Sequence, residues 1–563
     1  MDTERTYWGS RVTRRGILRD GAIGGAGLVG AALIGCSSGA KPAAPAGAPA
    51  GGSGAAPAAE QPQVSEQFIS IQTRDAVSLE PLDAQVYTVA ERIGLVYPRL
   101  VYSQRNDPKG KDLADTKYVP SYAVQGWELN GDGTQLTFKL KPGVKYQNIA
   151  PLNGRAFKSS DVKYAINRYM THPKSTFTSR FSDIAAIDTP DDNTVVFKLK
   201  TPSRYIYWAL ASESAFITPP ETDDKSDGYK KVAIGPGPYI HDQYLQGEGS
   251  KLHANPDFID AAKVYFKNFN FKVVTDSATR SAALKTGQTD YIDANLTPTE
   301  LKSSEGPNVV SIDAPVTSVS NIAWNMKNPA WADIRLRMAM SKAIDREAMI
   351  AETLTGAGSW NGIVPVGFGK WALSVDEVKQ VNAYKFDVAE AKKLWDAAGA
   401  PKRKVEFFFS SNGTTGKIQA DYYQRAWKAN LGLDVDIKTE DYSIFLPKSY
   451  NGLYPDMDSL GYVLPDWTEN LFAPYLKGGT RNGSNIDDPE VTKMLQDIRQ
   501  TLDDKAAAEK SRAVQKFLLD QKLTLTQVPQ ATGSIAWNSK LRDFVPGVFP
   551  PGYEWMRGMW KTK

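Results

Sequence analysis

The sequence predicts an α/β protein of two or three domains, because strand-like and helix-like patterns alternate along most of it. The chain has 563 residues, of which 41% are hydrophobic and 23% charged, which is enough apolar material for more than one core in a soluble protein. Segments with the period of a half-buried strand lie between segments whose apolar residues recur every three or four positions. Such alternation is typical of sheets covered by helices.

Three segments alternate apolar with polar residues and are predicted to be strands, namely 136–140, 195–199 and 269–273. Two further segments carry apolar residues at helical spacing. The first helix follows Ser159-Ser160-Asp161, which supply an N-cap and a negative first turn. The apolar positions of these two helices are Val162, Ala165, Ile166 and Tyr169 in the first, and Leu336, Ala339, Met340, Ala343 and Ile344 in the second.

A βαβ unit is predicted beyond residue 387. Asp387 is the N-cap of a helix that ends at Gly399. A strand at 405–409, a helix at 417–430 and a strand at 433–439 follow, and this order predicts a parallel pair of strands. Open sheets with parallel strands bind ligands at the carboxyl ends of those strands.

The first 35 residues are predicted to be an export signal. Arg14 and Arg15 stand in Thr-Arg-Arg-Gly-Ile-Leu-Arg, which resembles the twin-arginine motif. The Gly- and Ala-rich stretch that follows, 21–35, is too short and too weakly apolar for a membrane span. Twin-arginine export implies that the body folds before it crosses the membrane.

Cys36 is predicted to carry a lipid. Leu33-Ile34-Gly35-Cys36 resembles a bacterial lipobox, in which the thiol of the cysteine takes a diacylglyceryl group. Residues 37–62 consist almost wholly of Ala, Pro, Gly and Ser, which cannot form a core and behave as a flexible tether. We therefore expect a body that begins near residue 65 and is held at the extracytoplasmic face of the cell membrane.

Composition excludes several classes of function. The net charge is +4, and the leader contributes five Arg against three acids, so the remainder carries about +2 and offers no basic field for nucleic acid. One cysteine forms neither an internal disulfide nor a Cys-based metal site. The histidines, His172, His241 and His253, show no metal-ligand spacing. Gly25-Ala-Gly-Leu-Val-Gly30 matches a dinucleotide motif but lies in the leader without a preceding strand. No cofactor or metal is predicted.

Several motifs together resemble family 5 of the extracellular solute-binding proteins, the peptide, oligopeptide and nickel binders of ABC importers. The most specific is Asp333-Ile-Arg-Leu-Arg-x-Ala-x-x-x-Ala-Ile-Asp-Arg346, and Arg335, Arg337 and Arg346 are expected to anchor a helix through ion pairs. The others run in family order from about Glu66 to the C-terminus. They are Ala123-x-x-x-Trp127 with Asp132-Gly-Thr134 and Gly143-Val-Lys145, Gly235-Pro-Gly-Pro-Tyr239, Asn255-Pro-Asp-Phe258, and Ala283-Leu-x-x-Gly287-x-x-Asp290.

The resemblance implies a periplasmic-binding-protein-like two-lobe α/β fold, with ligand enclosed by hinge closure between the lobes. The chain is expected to cross between lobes near 318–325 and to return near 527–532. The boundaries this implies are a signal peptide at 1–35, a tether at 36–64, lobe I at 65–103, 233–317 and 529–563, an inserted domain II at 104–232, and lobe III at 318–528.

In peptide-binding members of the family an Asp of lobe III commonly holds the α-ammonium of the ligand. The matching stretch here, Gly461-Tyr-Val-Leu-Pro-Asp-Trp-Thr-Glu-Asn470, is one residue out of step, so Asp466 is the candidate and Glu469 the fallback. The loop 410–415, where dipeptide binders present an Arg to the ligand carboxylate, has none, and Lys417 offers only a point charge. The aromatic residues expected to line the cleft are Tyr87, Trp324, Trp360, Tyr462 and Trp467.

The resemblance thus predicts a monomeric, lipid-anchored receptor, without catalysis, for a peptide or similar oligomeric solute, working with a membrane permease and ATPase. An oligosaccharide or a chelated metal remains an alternative ligand within the same family. A surface glycoside hydrolase that uses Asp466 and Glu469 as paired acids is the rival from another class. A pure adhesin or sensor is a third hypothesis.

Overall fold

The described body of the chain contains three larger sheets, of seven, five and four strands, and three two-stranded sheets, with helices between the strands, as seen in a computed structural model. The structure describes residues 60–84, 86–105, 116–212, 215–223, 229, 233–293, 296–314, 316–399, 404–410, 414–464, 466–545 and 558–562. Arg14, Arg15 and Cys36, on which the predictions of export and lipidation depend, lie outside the described residues.

The strands follow one another in an order that mixes local hairpins with long connections. They are Ser65–Gln72 (β1), Val101–Arg105 (β2), Thr116–Pro120 (β3), Val124–Leu129 (β4), Gln135–Leu140 (β5), Ile184–Asp191 (β6), Thr194–Leu199 (β7), Tyr239–Leu245 (β8), Gly249–Ala254 (β9), Phe266–Val273 (β10), Tyr291–Asp293 (β11), Val309–Ala314 (β12), Ser318–Trp324 (β13), Gly358–Ser359 (β14), Val405–Ser410 (β15), Val435–Glu440 (β16), Met457–Val463 (β17), Leu525–Val528 (β18), Gln530–Ala531 (β19), Gly533–Asn538 (β20), Leu541–Arg542 (β21) and Trp560–Lys561 (β22).

The α-helices of the described residues fall between these strands. They are Tyr87–Gly94 (α1), Ser159–Thr171 (α2), Tyr205–Ala211 (α3), Ser277–Lys285 (α4), Pro298–Ser304 (α5), Ile334–Lys342 (α6), Arg346–Thr353 (α7), Val375–Gln380 (α8), Val388–Ala397 (α9), Thr414–Leu431 (α10), Tyr442–Tyr450 (α11), Trp467–Tyr475 (α12), Pro489–Gln500 (α13) and Asp504–Phe517 (α14). None of the described helices is both long enough and apolar enough to span a membrane.

The largest sheet has seven strands in the order β12-β20-β11-β1-β10-β9-β8. Its central strand, β1, pairs in parallel with β10 and β11, while β8, β9 and β20 join by antiparallel pairing. The second sheet has five strands in the order β16-β15-β17-β13-β18, with β15 parallel to both β16 and β17. The third, β4-β5-β7-β6, is antiparallel throughout.

The α/β prediction is confirmed, and so are the predicted strands, which correspond to β5, β7 and β10. The βαβ unit is β15-α10-β16, with parallel pairing of Val405 to Val435. Asp387 is the N-cap of α9, accepting a hydrogen bond from the Glu390 amide at 2.9 Å. Local periodicity succeeded here because these elements bury one face and expose the other.

The helix predicted through Ile344 is shorter than its apolar spacing suggests. α6 ends at Lys342, and α7 begins at Arg346. Asp345 separates them because its carboxylate accepts from the Ala348 amide at 3.0 Å and so caps the second helix. An N-cap residue has non-helical backbone angles, which ends the first helix before it.

Two of the three arginines of the Asp333–Arg346 motif do not act as predicted. Arg335 forms an ion pair with Asp333 at 2.6 Å, as expected. Arg337 instead donates to the carbonyls of Trp331, Lys522 and Leu523. Arg346 donates to the carbonyls of Ser341 and Tyr384 and stacks on the Tyr384 ring. Buried arginines here satisfy backbone acceptors, a pattern that spacing in the sequence does not reveal.

The chain passes between the two larger sheets twice, over short stretches. β12 of the seven-stranded sheet ends at Ala314, and β13 of the five-stranded sheet begins at Ser318. On the return, β18 ends at Val528 and β20 begins at Gly533. β19 lies on this return and pairs with β14. The exact domain boundaries given above stay a prediction.

Candidate functional site

The parallel strands of the two larger sheets lead into the segments that carry most of the predicted ligand-binding residues. β1 ends at Gln72 and is followed by residues 73–80, here named the β1 loop. β17 ends at Val463 and leads to Asp466 and Trp467, here named the β17–α12 junction. Ligands of open α/β sheets bind outside the carboxyl ends of the strands, so these two segments, one on each of the larger sheets, are the candidates for the ligand-binding site.

Asp466 is the N-cap of α12 and is 9% exposed. One carboxylate oxygen accepts the Thr468 amide at 2.7 Å and the Thr468 hydroxyl. Burial raises the pKa of Asp466 to about 6, and the hydrogen bonds from Thr468 oppose this rise without cancelling it. The ionised carboxylate is therefore incompletely compensated, and a ligand cation would stabilise it.

Glu469, the fallback acid, is already paired within the protein. Its side chain is buried, the hydroxyl of Tyr205 donates to one oxygen, and Arg180 Nε lies 3.8 Å from the other. Both partners come from the region of the four-stranded sheet. Since Glu469 has a cation and a hydroxyl beside it, Asp466 is the better candidate for an ammonium.

Trp467 has one face covered by another indole. Its ring stacks on Trp371 with centroids 4.2 Å apart, and the Arg204 guanidinium lies 4.8 Å from the Trp371 centroid and 5.5 Å from that of Trp467. Tyr462 is buried beside Asn321, and burial raises its pKa. Both aromatic residues are held firmly at the carboxyl end of β17.

Trp324 and Trp360 lie away from this junction. Trp324 pairs with Met457 at the opposite end of β17, is fully buried in the core of the five-stranded sheet, and donates its indole N–H to Thr526 at 3.3 Å. Trp360 donates to Glu347 at 2.9 Å and lies beside Lys379. Both have the contacts of packing residues, and we leave them out of the proposed site.

Tyr87 is the first residue of α1, the helix that follows the β1 loop. The Arg74 guanidinium lies over its ring, 4.9 Å from the centroid. Sequence reasoning selected Tyr87 and overlooked Arg74. Arg74 lies two residues past the carboxyl end of β1, which is where ligands bind in such sheets, but no strand is predicted there from the sequence.

Residues from distant segments surround the β17–α12 junction, and sequence reasoning missed them. They are Arg180, Arg204, Tyr205 and Trp371. Tyr205 and Glu469 are 264 positions apart, so no local pattern connects them. Lys417, which offers only a point charge beside the loop that lacks an Arg, pairs with Asp421 at 2.8 Å on α10. In the described residues no group of three or more His, Cys, Asp or Glu side chains is arranged to hold a metal.

The chain matches a protein-family model and resembles known binding proteins in sequence. The model described as bacterial extracellular solute-binding proteins, family 5 middle, matches residues 117–484. The Di/tripeptide-binding protein 3 of Pseudomonas aeruginosa is 24% identical over 468 residues, which cover 76% of this chain and 84% of that protein.

Solved structures share the fold. The periplasmic binding protein DppA of Helicobacter pylori, in complex with the peptide STSA, superposes with a TM-score of 0.72 at 20% identity, covering 89% of this chain and 99% of that one. The binding protein AgaA of A. tumefaciens R10, in complex with agropinic acid, gives 0.72 at 21% identity, covering 88% and 99%. The predicted two-lobe binding-protein fold is thereby confirmed.

Proposed function

Because the chain belongs to the bacterial extracellular solute-binding proteins of family 5, we propose that it captures a peptide or similar oligomeric solute and delivers it to a membrane permease. Its general role is that of a substrate-binding protein of an ABC importer, not of an enzyme. Relatives whose names state a ligand bind di- and tripeptides, which supports a peptide as the solute here.

The observation that carries the proposal is Asp466. A buried carboxylate whose pKa is raised to about 6 stands at the carboxyl end of β17, with α12 behind it. In a closed cleft such a group forms a strong charge-assisted hydrogen bond with the ammonium of a ligand. Tyr462, Trp467 and Tyr87 complete the proposed site with aromatic surface, which suits peptide side chains.

Capture requires movement, and the two short passages between the sheets provide the hinge. We assign 65–103, 233–317 and 529–563 to lobe I, 104–232 to domain II and 318–528 to lobe III. Rotation about 314–318 and 528–533 then closes lobe III on the ligand, and the permease recognises the closed form.

An oligosaccharide or a chelated metal stays as the alternative solute; the binding protein AgaA of A. tumefaciens R10, which shares the fold, holds agropinic acid. The glycoside hydrolase hypothesis is not carried forward. Family members are binding proteins, and Glu469, its second acid, is held by Tyr205 and Arg180.

The leader supports a further part of the proposal. Arg14 and Arg15 direct twin-arginine export, and Cys36 receives a lipid that anchors the chain outside the cytoplasmic membrane. The Ala-, Pro-, Gly- and Ser-rich tether then keeps the receptor close to its permease and raises the local concentration for docking. Replacing Cys36 by Ser tests this: the protein moves from the membrane fraction to the soluble extracytoplasmic fraction. Retention in the membrane fraction would contradict the lipid anchor.

The test of the solute is a direct binding screen. The mature chain is incubated with a pool of tetrapeptides, a pool of oligosaccharides or a nickel chelate, and the complexes are weighed by native mass spectrometry. The peptide proposal expects added masses from the peptide pool alone, with saturable binding in the micromolar range or tighter, about −8 kcal/mol or stronger. Binding of only the sugars or the chelate replaces the peptide by the alternative solute, and no binding contradicts the proposal.

A further inference from the structure

The side chain of Asp75 fixes the conformation of the β1 loop through three hydrogen bonds. Its carboxylate accepts hydrogen bonds from the Ala76 amide at 2.8 Å and from Arg92 Nη2 at 2.6 Å. The amide of Gly247, from the β8–β9 hairpin, donates to its other oxygen. The loop is therefore tied both to α1, through Arg92, and to the edge of the seven-stranded sheet.

Arg92 is fully buried and extends this anchor. Its other donors reach the Ser250 hydroxyl at 2.9 Å and the Thr88 carbonyl at 2.7 Å. The Tyr244 hydroxyl donates to the Ala76 carbonyl at 2.6 Å. The side chain of Asp75 and the backbone of Ala76 are thus both fixed. This pre-organises the exposed side chains of the loop.

Two side chains of the β1 loop are exposed to solvent, one cationic and one apolar. Arg74 is exposed, and Val77 is 59% exposed. The guanidinium of Arg74 rests on the Tyr87 ring. Stacking on an aromatic ring restricts the arginine and leaves its N–H fork free to bind a planar anion.

The acidic residues that follow Arg74 in the β1 loop, in the short segment after it and in α1 each have another partner. Asp75 pairs with Arg92, and Glu80 with Arg168 at 2.8 Å. Asp83 accepts from Ser78 and Glu91 from Gln72. Across the described residues no carboxylate pairs with Arg74, whose guanidinium contacts the Tyr87 ring. Arg74 is therefore an unneutralised charge on a rigid loop at the carboxyl end of the central strand.

We propose that Arg74 binds a carboxylate of the ligand, and that the ligand is accordingly a solute with an anionic group. This inference rests on the proposed function. It gives Arg74 the carboxylate-binding role for which the loop 410–415 has no Arg. A guanidinium fork binds a carboxylate through two parallel hydrogen bonds, an interaction that a lysine cannot reproduce. The carboxylate belongs either to the C-terminus of a peptide or to an acidic side chain.

The test compares tetrapeptide pools by native mass spectrometry and then by calorimetry with the strongest binder. One pool has free C-termini, one has C-terminal amides without acidic residues, and one has C-terminal amides with one Asp. The proteins are the wild type, Arg74→Gln, Arg74→Lys, and Arg335→Gln as the control for loss of an exposed arginine.

The wild type is expected to bind one carboxylate-bearing pool at least about tenfold more tightly than the amides without acids. Arg74→Gln removes that preference, Arg74→Lys restores part of it, and Arg335→Gln leaves it intact. The pool that shows the effect identifies the source of the carboxylate. Peptide binding with a preference that survives Arg74→Gln, or with no preference in the wild type, overturns this inference and leaves the proposed function standing. Binding of none of the pools overturns both.

Discussion

The indole of Trp467 lies on that of Trp371, with the ring planes 4° from parallel and the centroids 4.2 Å apart. Both side chains are about 5% exposed. The pair joins the start of α12 to the segment before α8, and Arg204 lies against it from the region of the four-stranded sheet. The junction predicted to bind ligand is thus also a place where three parts of the body meet.

Trp371→Ala and Trp467→Ala are each expected to lower the free energy of unfolding by about 3–5 kcal/mol, because each removes a large buried side chain. The double variant should cost about 1 kcal/mol less than the sum, since the stack is lost only once. Urea unfolding of the four proteins measures this coupling. Strictly additive losses would show that the stacked geometry contributes nothing beyond burial.

Asp466 makes both stability and binding depend on pH. Burial raises the pKa of Asp466 from 3.8 to about 6, so the folded protein holds the proton more tightly than the unfolded chain does. The contribution of Asp466 to stability is therefore greatest below about pH 4 and falls by about 3 kcal/mol as the pH rises through 6. Unfolding measured from pH 4 to pH 8 should show a loss of stability about 3 kcal/mol larger in the wild type than in Asp466→Asn.

The binding of an ammonium-bearing peptide should change in the opposite direction, because only the ionised carboxylate attracts it. Affinity is expected to drop about tenfold between pH 7.5 and pH 5 in the wild type. Asp466→Asn keeps the helix cap and should bind weakly at both pH values. Asp387→Asn, which changes the exposed N-cap of α9, is the matched control. An Asp466→Asn variant with undiminished affinity removes Asp466 from the site.

Arg499 and Asp183 form a largely buried ion pair at 2.8 Å between α13 and the residues before β6. Their side chains are 17% and 13% exposed. We expect a double-mutant cycle of Arg499→Ala and Asp183→Ala to give a coupling of about 1–3 kcal/mol. The exposed pair Lys477 and Asp487, at 2.7 Å and with 75% and 59% exposure, is the matched control and should give less than about 1 kcal/mol. Equal couplings would mean that burial does not strengthen the bridge.

Asp458 is a fully buried acid in β17, opposite Ala323. Neither carboxylate oxygen accepts a hydrogen bond of ordinary geometry from the described residues. Burial raises the pKa of Asp458 well above its usual value, and the nearby hydroxyls of Ser449 and Tyr454 only partly oppose this. Stability should therefore fall as the pH rises above about 4, by up to about 1.4 kcal/mol for each pH unit.

Asp458→Asn is accordingly expected to raise the free energy of unfolding at pH 8 by about 1–3 kcal/mol. Asp456→Asn is the control, because Asp456 is equally buried but accepts hydrogen bonds from Trp331 at 3.1 Å and the Glu406 amide at 2.9 Å. That variant should destabilise. Chemical unfolding of both variants at pH 8 measures the two changes in free energy. Destabilisation by Asp458→Asn would contradict the claim that the ionised carboxylate of Asp458 destabilises the fold.

Local patterns in the sequence predicted the elements whose two faces differ in exposure. β5, β7, β10 and the unit β15-α10-β16 are examples, and Asp387 was identified because an N-cap acts within four residues. Contacts between distant segments left no such signal. Tryptophans in the core and at the site look alike in sequence, so Trp324, in the core, and Trp467, at the carboxyl end of β17, were selected together.

The cationic residues show the same limit. Arg337 and Arg346 stand in the most specific motif of the chain, yet their partners are backbone carbonyls that become neighbours only in the folded state. Arg204 reaches Asp504 across 300 positions. Arg74 has no carboxylate partner among the described residues. The sequence does not show this, because the partners of the acidic residues are known only in the folded chain.

The central claim is that the body closes on a peptide-like solute, and X-ray scattering tests it most directly. Scattering is recorded for the mature protein alone and then saturated with the tightest-binding peptide from the native mass spectrometry screen. Closure of the two lobes predicts a smaller radius of gyration and a smaller maximum dimension in the complex. An unchanged scattering curve, with saturation proved on the same sample by calorimetry, would contradict capture by closure of the two lobes.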